Sequence, residues 1–286
     1  MAWNVGDVLI ECVREIDMRM NPSEFFPQFD PDKFSQHAQW LKPDFVDDAG
    51  NLIVSIQALV VKSCGKYIVV DTCMGNDRPL PAGLPTLQTN FLEKLERVVS
   101  RHEVDFVLCT HLHCDHVGWN TMLVDGNWVP TFPNASYLFA RAEYAHWSGG
   151  KEDPFIDLEY AVRPIVNAGL HRIVDPGFKV TDEVSLVATP GHTPGHVSVL
   201  ISSQGKEAWI TGDVVHSPVQ LAETDWSMIS DSDPVEASKT RRHAADLLLK
   251  ESKLIIGTHF PEPTAGYLAE VDGQIRFEGA VPSDRR

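Results

Sequence analysis

The segment Thr110-His111-Leu112-His113-Cys114-Asp115-His116 constrains this chain more than any other stretch. It directly follows an apolar run, residues 104–109, that reads as a buried strand. Alternate residues leaving a strand point to the same side, so His111 and His113 can grip one cation together. The chain must then turn, which lets Asp115 and His116 face a second cation beside the first. A shuffled chain of this composition would contain about 0.002 matches to HxHxDH, so coincidence is a poor account of it. Burying three imidazoles and a carboxylate without partners would also be costly.

Three later segments follow the same plan. Thr189-Pro190-Gly191-His192-Thr193-Pro194-Gly195-His196 comes after an apolar run and is full of turn formers. Ile210-Thr211-Gly212-Asp213 ends another run in a carboxylate, and Ile255-Ile256-Gly257-Thr258-His259 ends one in an imidazole. Each alone is weak, because a single strand-end Asp or His is usually structural. Four strand ends that each deliver a His or Asp form a joint signal, and seven of the 12 histidines fall in 111–116, 192–196, 216 and 259.

The intervening chain reads as α/β. Residues 52–61 and 66–71 form strands around a turn at Ser63-Cys64-Gly65, and 89–100 carries apolar residues at helical spacing. Residues 184–188, 197–202, 207–211 and 254–257 read as strands. A helix from Pro234 to about Lys250 starts on Asp233 as N-cap, with Glu236 completing a capping box. Strands interleaved with helices in both halves predict helices covering sheet faces. No linker or repeat marks a boundary, so the expectation is a single domain over 1–286. Residues 1–50 form an N-terminal extension packed on it. Within that extension, residues 21–50 mix prolines with Phe25, Phe26, Phe29, Phe34, Trp40 and Phe45. That reads as irregular chain with too many aromatics to be a solvated tail.

The ordered set HxHxDH, GHTPGH, GD and a late GTH resembles the metallo-β-lactamase superfamily, over about residues 52–277. The resemblance implies a four-layer αβ/βα sandwich with a dinuclear metal centre at one edge. It implies that His111, His113 and His192 hold one metal, that Asp115, His116 and His259 hold the other, and that Asp213 bridges them. The implied cofactor is two divalent ions, zinc first, with Mn, Fe or Co as alternatives. Asp71, in Val69-Val70-Asp71-Thr72, resembles the family's early strand-end Asp that supports a ligand from behind, and His196 reads as a similar support. Class B β-lactamases commonly carry Cys or Ser where Asp213 stands. Flavodiiron reductases favour Glu at the His113 position, and glyoxalase II adds a basic C-terminal region where 27 residues follow His259 here. The small lactonase and parathion-hydrolase branch remains, matched by Phe132-Pro133-Asn134-Ala135 and by the eight residues from His259 to Gly266. Its lactonases often place a Tyr three residues after the bridging Asp, where this chain has His216.

Charge narrows the partners. The 24 Lys and Arg against 40 Asp and Glu give −16, which repels phosphate backbones and anionic lipid, so neither nucleic acid nor membrane is expected. Five cysteines without a CxxC pair, and an N-terminus without a basic-then-apolar leader, point to a cytoplasmic protein. The expected partner is a small neutral or weakly charged organic substrate. Aromatics of 21–50 and Trp119 would line its pocket, pack the core, or cover a homodimer interface. Cys114 reads as a small buried thiol, and the acidic run 223–233 as a solvated loop.

The expected activity is hydrolysis of an ester or lactone by a metal-bridging hydroxide, with Asp115 or His216 protonating the leaving oxygen and Asp213 fixing the metal spacing. Phosphotriester hydrolysis would use the same metal pair, and β-lactam hydrolysis is a further alternative. A redox iron protein or a noncatalytic metal-binding scaffold are the readings from other classes. A scaffold would have lost ligands, and none of the seven positions is lost.

Overall fold

The structure, a computed structural model, describes residues 1–81 and 86–282. In chain order the first half comprises β1 (Ala2–Val5), β2 (Val8–Met20), α1 (Pro22–Phe25), α2 (Pro31–Leu41), β3 (Leu52–Ser63), β4 (Lys66–Val70), α3 (Phe91–Glu96), β5 (Phe106–Leu108) and α4 (Cys114–Val117). It continues with the hairpin β6 (Thr121–Val124) and β7 (Asn127–Pro130), then β8 (Ser136–Ala140), α5 (Arg141–Ser148), α6 (Arg163–Asn167) and β9 (His171–Val174). The second half contains β10 (Val184–Ala188), β11 (Val197–Ser203), β12 (Lys206–Ile210), α7 (Val219–Ala222), α8 (Pro234–Glu251), β13 (Leu254–Ile256), β14 (Ala265–Val271) and β15 (Gln274–Gly279). Among the described residues two large sheets result, ordered β1-β2-β3-β4-β5-β8-β9 and β10-β11-β12-β13-β14-β15, with β6-β7 as a separate two-stranded sheet.

Strand alternation assigns the faces. Leu59 and Val61 of β3, with Ile68 and Val70 of β4, pack against Leu186, Val199 and Ile210 of the second sheet. Ala58, Val60 and Val69 point the other way, onto Phe91 and Leu95 of α3 and Trp147 of α5. The outer face of the second sheet, Trp209 and Ile255, is covered by Ala244, Ala245 and Leu248 of α8 together with Phe26 and Phe45. Helix, sheet, sheet and helix are the four layers expected. Covering both sheet faces explains why the central strands read as unbroken apolar runs. Each buried aliphatic side chain contributes about 1.5–3 kcal/mol.

The first fifty residues depart from expectation. Residues 2–20 are not an appendage but two strands of the first sheet, β2 pairing with β3 along its length. The alternation in β2 is broken because the register shifts between Arg14 and Ile16. That bulge leaves Glu15 as an extra residue, turned inward. Its buried carboxylate accepts from Trp119 Nε1 (2.7 Å), the Met74 N–H (2.8 Å) and Thr89 Oγ1 (3.0 Å). Nor is 21–50 wholly irregular. Asp30 caps α2 by accepting from the Asp32 and Lys33 N–H groups at 2.9 and 3.2 Å, with Pro31 at the first helical position. This is the same Asp-Pro start signal that opens α8.

Asp233 does cap α8, accepting from the Val235 and Glu236 N–H groups. The reciprocal half of the capping box is replaced, because the Asp233 N–H donates to the Gly191 carbonyl at 2.9 Å. That bond ties the helix start to the loop bearing His192. Helix α3 is shorter than the 89–100 pattern, ending at Glu96 with Val98 and Val99 turning back onto the Leu95 carbonyl. No helix among the described residues is long and apolar enough to cross a membrane.

Candidate metal centre

The site gathers at one edge of the sandwich, where five strands end. Asp71 follows β4, His111 to His116 follow β5, His192 follows β10, Asp213 follows β12 and His259 follows β13. His111, His113, His192 and Asp213 each offer one atom within 4.8 Å of the others; Asp115, His116 and His259 form a second such group. All seven positions expected as ligands are thus brought together. Asp213 lies between the groups. Its Oδ1 is 3.2 Å from His116 Nε2 and 3.1 Å from His259 Nε2, while its Oδ2 is 3.2 Å from His192 Nε2 and 3.7 Å from His111 Nε2.

Each imidazole is aimed by what holds its other nitrogen. His116 Nδ1 donates to Asp71 Oδ2 at 2.9 Å, and Asp71 is itself fixed by the Thr110 N–H and hydroxyl at 2.8 and 2.9 Å. His259 Nδ1 donates to the Ser55 carbonyl at 2.9 Å. His192 Nδ1 donates to Asp231 Oδ1 at 2.8 Å. In the neutral rings these donations leave bare Nε2 lone pairs on His116 and His259, which lie only 3.2 Å apart. His192 Nε2 and His113 Nδ1, 3.0 Å apart, share one proton in a hydrogen bond, which leaves His113 Nε2 buried without a partner. The facing His116 and His259 lone pairs repel unless a cation sits between them. His111 Nε2 and Asp213 Oδ1 are buried with no hydrogen-bond partner. Imidazole and carboxylate donors, oriented from behind and left unpaired in front, fit divalent metal ions.

The electrostatics follow from burial. Burial drives the His111 and His113 pKa values well down, keeping both rings neutral. Burial also opposes charge on His192, but Asp213 and Asp231 outweigh it and raise the pKa to about 9. Burial works against ionised Asp213 as well, yet the surrounding His116, His259, His216 and His111 hold it well below the usual carboxylate range.

His196 stands behind the cluster. Its Nε2 accepts from the Asp213 N–H at 2.8 Å, and its Nδ1 lies 2.8 Å from Thr189 Oγ1. Burial lowers its pKa to about 3. Gly212 enables this approach, because it has φ +54° and a Cβ there would meet His196 Nε2 at 2.5 Å. His216 lies in front. Its Nε2 is 3.0 Å from Asp213 Oδ2, and its ring stacks on His259 with centroids 5.4 Å apart. It groups with Asp213 and His259 as closely as the expected ligands do.

A cavity of about 470 Å³ opens over the cluster. Met18, Met20, Met74, Met228, Phe25 and Phe155 are prominent in its apolar wall; among the described residues no Lys or Arg lines it, and Glu24 is the one acidic residue apart from Asp115 and Asp213. Among the aromatics of 21–50, Phe25 lines this cavity, while Phe26 and Phe45 are core. Trp119 is core, stacked on Phe91. Cys114 is buried, as expected, and burial pushes its thiol pKa up.

The sequence reading missed Asp231. It is not part of a solvated loop; its side chain is fully buried between His192 and Arg241, whose Nη2 lies 3.3 Å from Asp231 Oδ2. Arg241 also donates to the Val214 and Thr224 carbonyls at 2.8 and 3.0 Å. The signal available was small: one carboxylate two residues before a helix cap, inside a run of charges. Asp231→Ala is expected to weaken metal retention about 10–100-fold in competition with a chelating dye. Asp231→Asn, which keeps an acceptor, is expected to lose less; equal retention in the wild type and both variants would remove Asp231 from this role.

An αβ/βα sandwich with paired His and Asp clusters at its strand ends defines a class of metal-site proteins. The metallo-β-lactamase superfamily model matches residues 53–259, and the chain belongs to that superfamily. Over 99 residues it is 32% identical to an N-acyl homoserine lactonase of a Bacillus species, covering 35% of this chain and 33% of that protein. Over 155 residues it is 26% identical to the N-acyl homoserine lactonase of Bacillus thuringiensis, covering 54% and 55%. The chain therefore spans between a third and just over half of the length of these curated relatives. Among solved structures, hydrolase AbOPH of the beta-lactamase superfamily gives a TM-score of 0.80 at 25% identity, covering 100% of this chain and 97% of that one. AidC, a dizinc quorum-quenching lactonase solved with a product, gives 0.76 at 21% identity, covering 100% and 98%. The second likeness is one of fold.

Proposed function

We propose that this protein is a metal-dependent hydrolase that opens small, neutral, apolar lactones or esters. The observation that carries the reading is the placement of the His and Asp groups at the floor of an apolar cavity that no Lys or Arg lines among the described residues. The lactonase relatives support it, as does the polyanion-repelling charge of −16.

When bound, two divalent ions, with zinc as the first choice, would acidify a water molecule and polarise the substrate oxygen. His111, His113 and His192 would hold one, Asp115, His116 and His259 the other, and Asp213 both. The protein's own side chains do the rest. The methionines and Phe25 bind the apolar part of the substrate, and thioether side chains adapt to acyl groups of different shape. Asp115, partly open to the cavity, is placed to carry a proton from water to the leaving alkoxide as the C–O bond breaks. A lactone keeps its leaving group tethered, so one cavity suffices. Five free cysteines, three of them buried, support a reducing compartment, the cytoplasm.

The test is a hydrolysis panel on one preparation whose metal content is measured: acyl lactones, aryl esters, aryl phosphotriesters, β-lactams and RNA. Lactones or esters are expected to lead, with activity lost on chelation and restored by zinc. Fastest turnover of a phosphotriester or β-lactam would replace the substrate class, and efficient, salt-sensitive RNA cleavage would overturn the reading.

A further inference from the structure

One buried carboxylate touches no ligand ring, yet grips both loops that carry the first metal group. Glu143, on α5, is 1% exposed. Its Oε1 accepts from the Leu112 N–H at 3.1 Å and from Trp147 Nε1 at 2.7 Å. Its Oε2 accepts from Thr193 Oγ1 at 2.7 Å and from the Gly195 N–H at 3.0 Å. Leu112 lies between His111 and His113, and Thr193 follows His192. The two loops leave strands of different sheets, β5 and β10, so strand pairing does not set their separation.

We infer that Glu143 is a positioning residue that fixes the spacing of His111 and His113 relative to His192. The inference rests on the proposed metal site. Its four donors satisfy both carboxylate oxygens, and burial of a carboxylate is tolerable only under such saturation. The approach is close: a Cβ on Gly195 would fall 1.9 Å from the Glu143 nitrogen, so only glycine lets the second loop reach α5. A carboxylate is required because all four partners donate. A glutamine can satisfy one pair with its oxygen, and its NH₂ can reach the Thr193 hydroxyl as acceptor, but the Gly195 N–H is then stranded.

The experiment is a metal titration of the wild-type and variant proteins, freed of metal and competed against a chelating dye, with thermal unfolding of the same metal-free samples. Glu143→Gln is expected to weaken the ion held by His111, His113 and His192 about 10–100-fold, seen as one of two binding steps moving. Thr193→Val, which removes one bond to the same oxygen, is expected to move that step in the same direction by less. Trp147→Phe removes a donor that belongs to neither loop and is expected to lower the melting temperature with both steps in place. Unchanged binding steps in Glu143→Gln, with only a lower melting temperature, would overturn the positioning role. If Glu143→Gln does not fold, Thr193→Val decides, and unmoved steps in it count against the inference. A wild-type protein that binds no metal would sink the metal-site reading itself, which this titration detects separately.

Discussion

Asp213→Ala is expected to lose at least one metal ion per chain and to lower kcat/KM roughly 10³-fold or more, an effect at least as large as removing an oxyanion donor. The reason lies in how much converges on one side chain. Oδ1 faces His116 and His259, while Oδ2 faces His192 and His216. Two dications bring four positive charges, and the only carboxylates beside the imidazoles in the two groups are Asp115 and Asp213. Without Asp213, Asp115 is the one carboxylate left among the ligands, with Asp71 and Asp231 acting only through the rings they hold, and unbalanced charge in a buried site is costly. The fold should survive, because the Asp213 N–H that anchors the strand end to His196 belongs to the backbone. Elemental analysis and steady-state kinetics on one sample check the expectation. A fully metallated and fully active Asp213→Ala protein would reject the bridging assignment.

Much of this site could be read from the sequence because its chemistry is local. His111, His113, Asp115 and His116 fall within six residues, and the later ligands each end an apolar run. What escaped was whatever depends on chain segments meeting. Asp231 contacts His192 across 39 residues, and Arg241 contacts Asp231 only because α8 lies along that loop. Glu143 sits near the start of a helix far from both loops it joins, and no periodicity distinguishes it from a solvated Glu. The strand β2 escaped for another reason. Its bulge at Glu15 turns a charged residue inward and breaks the two-residue period by which strands are recognised. Helix α2 had a legible start at Asp30-Pro31, but the surrounding prolines and aromatics outweighed it. Such features are fixed by tertiary packing, so they become visible only once the sheets are assembled.

His216→Phe is expected to keep both metal ions and the fold while lowering kcat/KM about 10²–10³-fold, the usual cost of one lost contact to a developing oxyanion. The ring stands at the junction of cavity and cluster. It lines the cavity, stacks edge-on against Phe25 with centroids 5.7 Å apart, and lies face-on to His259. Its main chain is pinned independently, the His216 N–H donating to Gln220 Oε1 at 2.7 Å, so the side chain can change without moving the loop. Phenylalanine preserves the stacking and removes only the nitrogens. Burial holds the imidazole pKa down despite the pull of Asp213, so the neutral ring offers one N–H and one lone pair for proton transfer. Its Nε2 lies 3.0 Å from Asp213 Oδ2, so the N–H of the neutral ring points at the cluster, where a substrate oxygen can compete for it. An alkyl lactone, whose leaving alkoxide needs a proton, should therefore suffer more than an activated aryl ester, whose phenolate does not. Equal small losses on both would make His216 a packing residue of the loop. Because His216 also groups with Asp213 and His259, loss of one ion from His216→Phe would make it a ligand instead, and the metal content of the variant decides between the two roles.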